Sequence, residues 1–229
     1  MPFLENAGPD DAARPPVWEA FAVVRDQVER LVAVNVLWSL NLAPGVLAMA
    51  FPGWPLGLRT VLVIYTVVVI VPLTGMLYGV AAVAAEGQHV GYDSVRDALR
   101  VLARPSLRAL APLYLVTAAG VIGWALARHF DQAAVVTLLT AALLIWTVPA
   151  QYWGPLLARD PRQSAMSVLR GSVRLALDRP GATLGCWLMV GAVLVVGVIS
   201  IGGLVLIVPV VAVLLQTCFA SSGSESRTR

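Results

Sequence analysis

The chain has 229 residues, 59% of them hydrophobic and 13% charged, where an ordinary soluble domain carries roughly 25% charged residues; that is too little polar surface for a water-soluble globular fold. All 16 basic residues are Arg, a side chain that favours phosphate and anionic lipid. They lie scattered between apolar runs and form no basic block, which argues against a nucleic-acid partner.

Residues 1–16 form a polar, acidic tail without a basic leader, so no cleaved signal peptide is expected. In 17–30, Phe21, Val24, Val28 and Leu31 recur every three or four residues opposite Asp26 and Glu29, which predicts an amphipathic helix. A bilayer core about 30 Å thick needs ~20 apolar residues in a helix. The run 31–51 meets this, and the charge-free run 60–85 is long enough to span with tilt. A second amphipathic helix is predicted over 93–104, with Val95, Leu99 and Leu102 on one face and Arg96 and Arg100 on the other. Spans at 109–127 and 133–157 follow, joined by the polar turn Arg128-His129-Phe130-Asp131-Gln132, which makes them antiparallel. A third amphipathic helix is predicted over 163–178, with Met166, Leu169, Val173 and Ala176 opposite Arg170 and Arg174. The last apolar stretch is too long for one span and breaks near Ser200-Ile201-Gly202-Gly203 into 182–200 and 203–220, leaving 221–229 as a disordered tail.

The expected fold class is all-α integral membrane. It is a six-transmembrane helical bundle in a single membrane domain (17–220), built as three hairpins, each preceded by a cytoplasmic amphipathic helix. Lipid offers backbone groups no partners, so only helices and closed barrels cross it, and these runs lack the alternation of barrel strands. A shift of 75 residues places Gly79 on Gly154, Gln88 on Gln163 and Arg104-Pro105 on Arg179-Pro180, in keeping with a repeat that starts near Pro16, Asp93 and Gln163. Fourteen of the 16 Arg fall on one side of this topology, leaving Arg59 and Arg128 on the other. Basic flanks stay inside, so both termini are expected in the cytoplasm of a bacterial cell and the bundle in its inner membrane. The surface helices either dip into the interface, with Arg96, Arg100, Arg170 and Arg174 on lipid phosphates or a partner, or pack on the bundle's own end; amphipathicity leaves both open.

Within the expected spans there is no ionisable Asp, Glu, Lys, Arg or His, which disfavours proton-coupled transport. Neutral polar groups do occur: Asn35, Ser39, Asn41, Thr66, Thr74, Thr137, Thr140, Thr147 and Gln151. Asn35, Asn41, Thr74 and Gln151 are candidates to line a polar cavity, although bonding between helices is the commoner use of such groups. Pro44, Pro72, Pro112, Pro149 and Pro209 favour kinks. Gly75 with Gly79, and Gly181 with Gly185, permit close helix approach. Trp54, Trp124 and Phe130 on the outer side, and Tyr152 and Trp153 on the inner, fit interfacial belts. Cys186 and Cys218 sit in apolar runs as small hydrophobes.

Asp93 and Asp97, with Glu86 upstream, are the best carboxylates for a divalent ion over a lipid headgroup, but their spacing to Arg96 and Arg100 is that of ordinary surface pairs. His129 and Asp131 lack a third ligand. No catalytic, cofactor-binding or metal-binding residue is predicted, so no cofactor is expected and a non-enzymatic role leads.

The segments Asn35-Val36-Leu37-Trp38 followed by Pro44, Pro72-Leu73-Thr74-Gly75-Met76-Leu77-Tyr78, and Tyr152-Trp153-Gly154-Pro155-Leu156-Leu157-Ala158-Arg159 resemble the YesL family of bacterial polytopic membrane proteins, over about 32–220. Members often neighbour carbohydrate-uptake genes, so the resemblance implies an accessory role in sugar import, with the bilayer and transporter subunits as partners. It carries over no site residues. A facilitator of a neutral solute around Asn35, Asn41, Thr74 and Gln151, and a lipid-modifying enzyme around Asp93 and Asp97, are the competing readings.

Overall fold

The computed structural model describes residues 16–199 and 208–225, and among them every regular element is a helix. In chain order these are α1 (Pro16–Ala50), α2 (Leu56–Ala85), α3 (Tyr92–His129), α4 (Ala133–Ala150), α5 (Trp153–Arg159), α6 (Ala165–Asp178), α7 (Pro180–Ile199) and α8 (Val208–Glu225). Five stretches are long and apolar enough to cross a membrane: Ala20–Ala50, Leu56–Ala85, Tyr92–His129, Ala133–Arg159 and Pro180–Gly197. A shorter apolar segment, Val208–Ala220, lies in α8. The expected break at 200–203 falls outside the described residues.

Of the expected surface helices, one is set off from its apolar run only by a kink and another runs on without a break. The segment 17–30 continues into the first apolar run as α1, departing from helical geometry at Gln27 (φ −129°, ψ 22°). The segment 93–104 continues through Pro105 and Pro112 into the next run as α3. Neither junction carries a glycine, and a change from polar to apolar side chains does not itself end a helix. Neither Pro44 nor Pro72 ends its helix, because neighbouring packing absorbs the missing donor. Of the predicted kinks, Pro149 precedes a break: α4 stops at Ala150 and α5 starts at Trp153, so the expected span 133–157 is two helices. The third surface helix is separate, divided from α7 by Arg179 alone (φ −142°, ψ 65°).

The turns are closed by backbone geometry. At the end of α2, Gly87 takes a left-handed conformation (φ 73°), so that its N–H reaches the Ala84 carbonyl at 3.0 Å and the Gln88 N–H reaches Val83 at 3.2 Å. Asp131 (φ 53°) does the same after α3, with its own N–H on Arg128 and the Gln132 N–H on Ala127. Both are left-handed C-terminal caps. At the end of α1, Arg59 Nε donates to the Ala48 carbonyl at 2.8 Å, placing a cation on a helix C-terminus, where it is favoured.

Helix α2 is the centre of the assembly and packs on α1, α3, α5 and α8. Its half that leads to the α2–α3 connection is buried, from Val71 to Ala84. A Cβ built on Gly75 would lie 1.8 Å from Ser106 Oγ, and one on Gly79 would lie 2.7 Å from Leu102 and 3.0 Å from Ala98. These two glycines are therefore where α2 and α3 approach most closely. The second glycine pair has no such role: Gly181 meets nothing within 4 Å and Gly185 only Phe219 at 3.9 Å. At the opposite end the side chains are open, including Leu56, Val61 and Ile64 of α2, Leu115 and Ile122 of α3, and Leu138 and Ile145 of α4. Apolar area costs roughly 25 cal/mol per Å² in water, so hydrocarbon is the solvent this surface fits.

Gly154 lies against the Tyr78 ring, 2.1–2.2 Å from ring atoms to an added Cβ, and the Tyr78 hydroxyl is held by Gln216 Oε1. Gly154→Ala is expected to lower stability by about 1–3 kcal/mol through overpacking, and Gly181→Ala to leave it unchanged. Thermal unfolding of the two variants in one detergent checks both.

Candidate functional site

The polar residues of the apolar runs are joined to neighbouring helices by a recurring arrangement. Trp38 Nε1 on α1 donates to Thr74 Oγ1 on α2 at 3.1 Å, and Thr74 donates onward to the Ile70 carbonyl at 2.7 Å. Between α3 and α4 it occurs twice, in opposite directions: Trp124 to Thr140 at 2.9 Å and Trp146 to Thr117 at 2.9 Å. Those hydroxyls bond back to Val136 and Leu113. Trp187 on α7 donates to Thr147 on α4 at 2.9 Å, and Thr147 to Leu144. In each case an indole N–H that needs an acceptor when buried meets a hydroxyl that is satisfied both ways.

The four cavity candidates do not share one hydrogen-bonded set. Thr74 is held by Trp38 as above. Asn41 accepts from the Tyr65 hydroxyl at 2.9 Å and donates to its own helix at Leu37, 2.8 Å. Gln151 donates to the Thr183 carbonyl on α7 at 3.1 Å. Asn35 is fully buried on α1.

Tyr152 and Trp153, expected in an interfacial belt, are core residues only 2% and 3% exposed. The Tyr152 hydroxyl bonds Thr183 Oγ1 at 2.8 Å, and Thr183 reaches the Ala176 carbonyl of α6 at 3.4 Å. The Trp153 ring meets Tyr114 edge-on at 6.0 Å and Trp146 at 5.4 Å. Belt and core aromatics have the same composition; only the helix opposite tells them apart. Of the outer set, Trp54 stacks on Phe51 at 5.2 Å, and the Arg128 guanidinium lies 5.5 Å over Trp124, a cation–π contact.

At the Arg-rich end, Arg96, Arg100, Arg170 and Arg174 are all exposed, as are Asp93 and Asp97. The expected pairs of Asp93 with Arg96 and Asp97 with Arg100 are not formed among the described residues; the ion pairs there are Arg25 with Asp26 at 3.3 Å and Arg174 with Asp178 at 3.8 Å. An exposed pair gains about 0–1 kcal/mol against the freedom of two long side chains. Among the described residues no group of three or more His, Cys, Asp or Glu is placed to hold a metal ion. Both cysteines are buried.

The apolar stripe expected on α6 divides between the bundle and the outside. Its bundle-facing residues are Val168 and Ser172, whereas Met166 and Val173 face outward. Apolar side chains cover more of this helix than the bundle does, so spacing alone did not pick out the packed edge.

One contact that sequence reasoning missed ties this end together. At the kink in α1, Gln27 donates to the Gln88 carbonyl at 2.9 Å and accepts from the Val90 N–H at 2.8 Å, while Arg30 donates to the Val90 carbonyl at 3.0 Å. A side-chain amide here replaces a strand partner for the α2–α3 connection. A glutamine among apolar stripe residues was the available signal, but its partner lies 61 residues away. Val90 is buried, so Gln27→Ala leaves its N–H unpaired. It is expected to cost about 1–3 kcal/mol and to speed hydrogen exchange at residues 88–90, while the Trp–Thr contacts keep their protection; mass-resolved exchange in detergent measures it.

No family model, no curated protein and no solved structure matches the chain.

Proposed function

We propose that the chain is a multi-pass protein of the bacterial inner membrane that works without catalysis, as an accessory or scaffold component of a membrane complex linked to carbohydrate uptake. In this reading six spans form three hairpins, the sixth span being completed by α8, and both termini lie in the cytoplasm. The distribution of Arg supports the orientation, and the resemblance of three segments to the YesL family supports the accessory role.

The observation that carries the reading is the use of polar groups inside the apolar runs. A carrier or facilitator needs such groups facing a path. Here Thr74, Thr117, Thr140 and Thr147 each hold an indole of an adjacent helix, and Gln151 and Asn41 are bonded to neighbouring helices. These bonds join helices to one another, while Gln151 Oε1 and Ser106 Oγ are buried without a partner among the described residues. What remains displayed is the Arg-bearing end, which fits a docking role.

Purified protein reconstituted into liposomes is expected to release a trapped neutral sugar no faster than protein-free liposomes. Flux well above that baseline, lost on Thr74→Val, would replace this reading with that of a facilitator.

A further inference from the structure

We infer that α6 carries a binding site for the phosphate of an anionic phospholipid, formed by Arg170 and Arg174 beside the apolar strip Met166, Val173 and Leu177. The inference needs the chain to sit in a bilayer and is independent of the accessory role.

At about 100° per residue, the apolar residues of α6 form one wide arc. Val168 and Ser172 are buried against the bundle, and Ala165 and Leu169 pack beside the cluster that contains Val168, Leu110 and Trp153. Beyond Leu169 the arc continues to Val173, Met166 and Leu177, which the bundle leaves 39%, 55% and 75% exposed. Arg170 and Arg174 come next around the helix, one turn apart and exposed. A shallow groove runs along this face, lined by Leu169, Arg170, Val173, Arg174, Leu177 and Asp178.

Connectivity and charge identify the occupant. Only Arg179 separates α6 from the apolar α7, so α6 is confined to the edge of whatever surrounds that span. A helix held there with a bare apolar strip and arginines along its margin matches the order of a bilayer surface, hydrocarbon first and then phosphate. Guanidinium groups suit phosphate oxygens in paired, planar hydrogen bonds. The acid lining the groove, Asp178, meets Arg174 at 3.8 Å, which leaves the groove with net positive charge. The start of α3 repeats the order, with Tyr92 and Leu99 exposed next to Arg96 and Arg100.

The test uses the full chain, delipidated in detergent and titrated with phosphatidylglycerol or with phosphatidylcholine of the same acyl chains, bound lipid being counted by native mass spectrometry. Phosphatidylglycerol is expected to bind more tightly. Its affinity is expected to fall about fivefold for Arg170→Gln or Arg174→Gln and roughly 25-fold for both. Replacing both by Lys is expected to keep the preference for phosphatidylglycerol, because the charge remains, with affinity between those of the native protein and the double Gln variant, because the paired bonds are lost. Met166→Ser with Leu177→Ser is expected to weaken both lipids, and millimolar inorganic phosphate is expected not to compete. Unchanged phosphatidylglycerol affinity in the double Gln variant overturns the proposal. So does full competition by inorganic phosphate, which would make the groove a general oxyanion site. Loss of a co-purifying protein in the double Gln variant with lipid binding intact also overturns it, in favour of a protein partner.

Discussion

An indole N–H set among apolar side chains needs an acceptor, and four of those in this chain find one across a helix pair, while the buried Nε1 of Trp153 has none among the described residues. Each of Trp38, Trp124, Trp146 and Trp187 donates to a threonine on a neighbouring helix. Each threonine passes its own proton to a carbonyl in its preceding turn. Threonine suits this role because its hydroxyl accepts and donates at once, so neither partner is left unsatisfied and no ion is needed. Interhelical hydrogen bonds of this kind average about 0.6 kcal/mol in membrane proteins. Their weight here lies less in that sum than in direction, because each bond joins one position on a helix to one on its neighbour. They fix which helix faces align between α1 and α2, α3 and α4, and α4 and α7.

With those faces aligned, packing becomes uneven along the bundle. At the Arg-rich end α2 is sunk among α1, α3, α5 and α8, with glycine against α3 and Tyr78 wedged between Gly154 and Gln216. At the other end the same helices present Leu, Ile and Val outward. Dense packing resists motion and an open apolar face yields to fluid lipid. The structure therefore joins a densely packed half that carries the Arg-bearing helices to a half whose apolar side chains lie open. Gln27 adds to that packing by joining the kink in α1 to the α2–α3 connection.

Much of this was legible in the sequence, for reasons tied to particular residues. The apolar runs were legible as helices because lipid leaves backbone groups no outside partner and the runs lack the alternation of barrel strands, and the turn at 128–132 was marked by its polar residues. Gly75 and Gly79 were visible as a close approach, but so were Gly181, which meets nothing within 4 Å, and Gly185, which makes only an ordinary contact with Phe219; spacing reports permission, and the partner helix decides its use. Thr74 and Gln151 were recognised as polar groups with work to do, yet Trp38 lies 36 residues from Thr74 and nothing local links them. Tyr152 and Trp153 looked interfacial because they follow a long apolar run. The burial that makes them core residues comes from α3, α4 and α7, whose positions a linear reading does not supply. The same holds for α6, whose apolar arc is wider than the bundle covers.

The contrast between Arg104-Pro105 and Arg179-Pro180 shows how the same dipeptide gives two outcomes. Proline disfavours the helical conformation of the residue before it, which predicts a break at both. Arg179 breaks, with ψ 65°, and α6 leaves the axis of α7. Arg104 stays helical inside α3. The difference lies in what each neighbourhood gains from continuity. Around Arg104, Leu102 and Ser106 must both reach Gly75 and Gly79 on α2, and only an unbroken helix places residues four apart on one face. Around Arg179 no glycine pair is engaged: Gly154 is taken by Tyr78, and Gly181 meets nothing. Thr183 instead reaches back across the break to Ala176 and receives Tyr152, which holds the bend in place. The local preference of proline is therefore expressed where tertiary contacts agree with it and overridden where they do not, and α6 is free to turn its arginines along the surface because its junction is of the first kind.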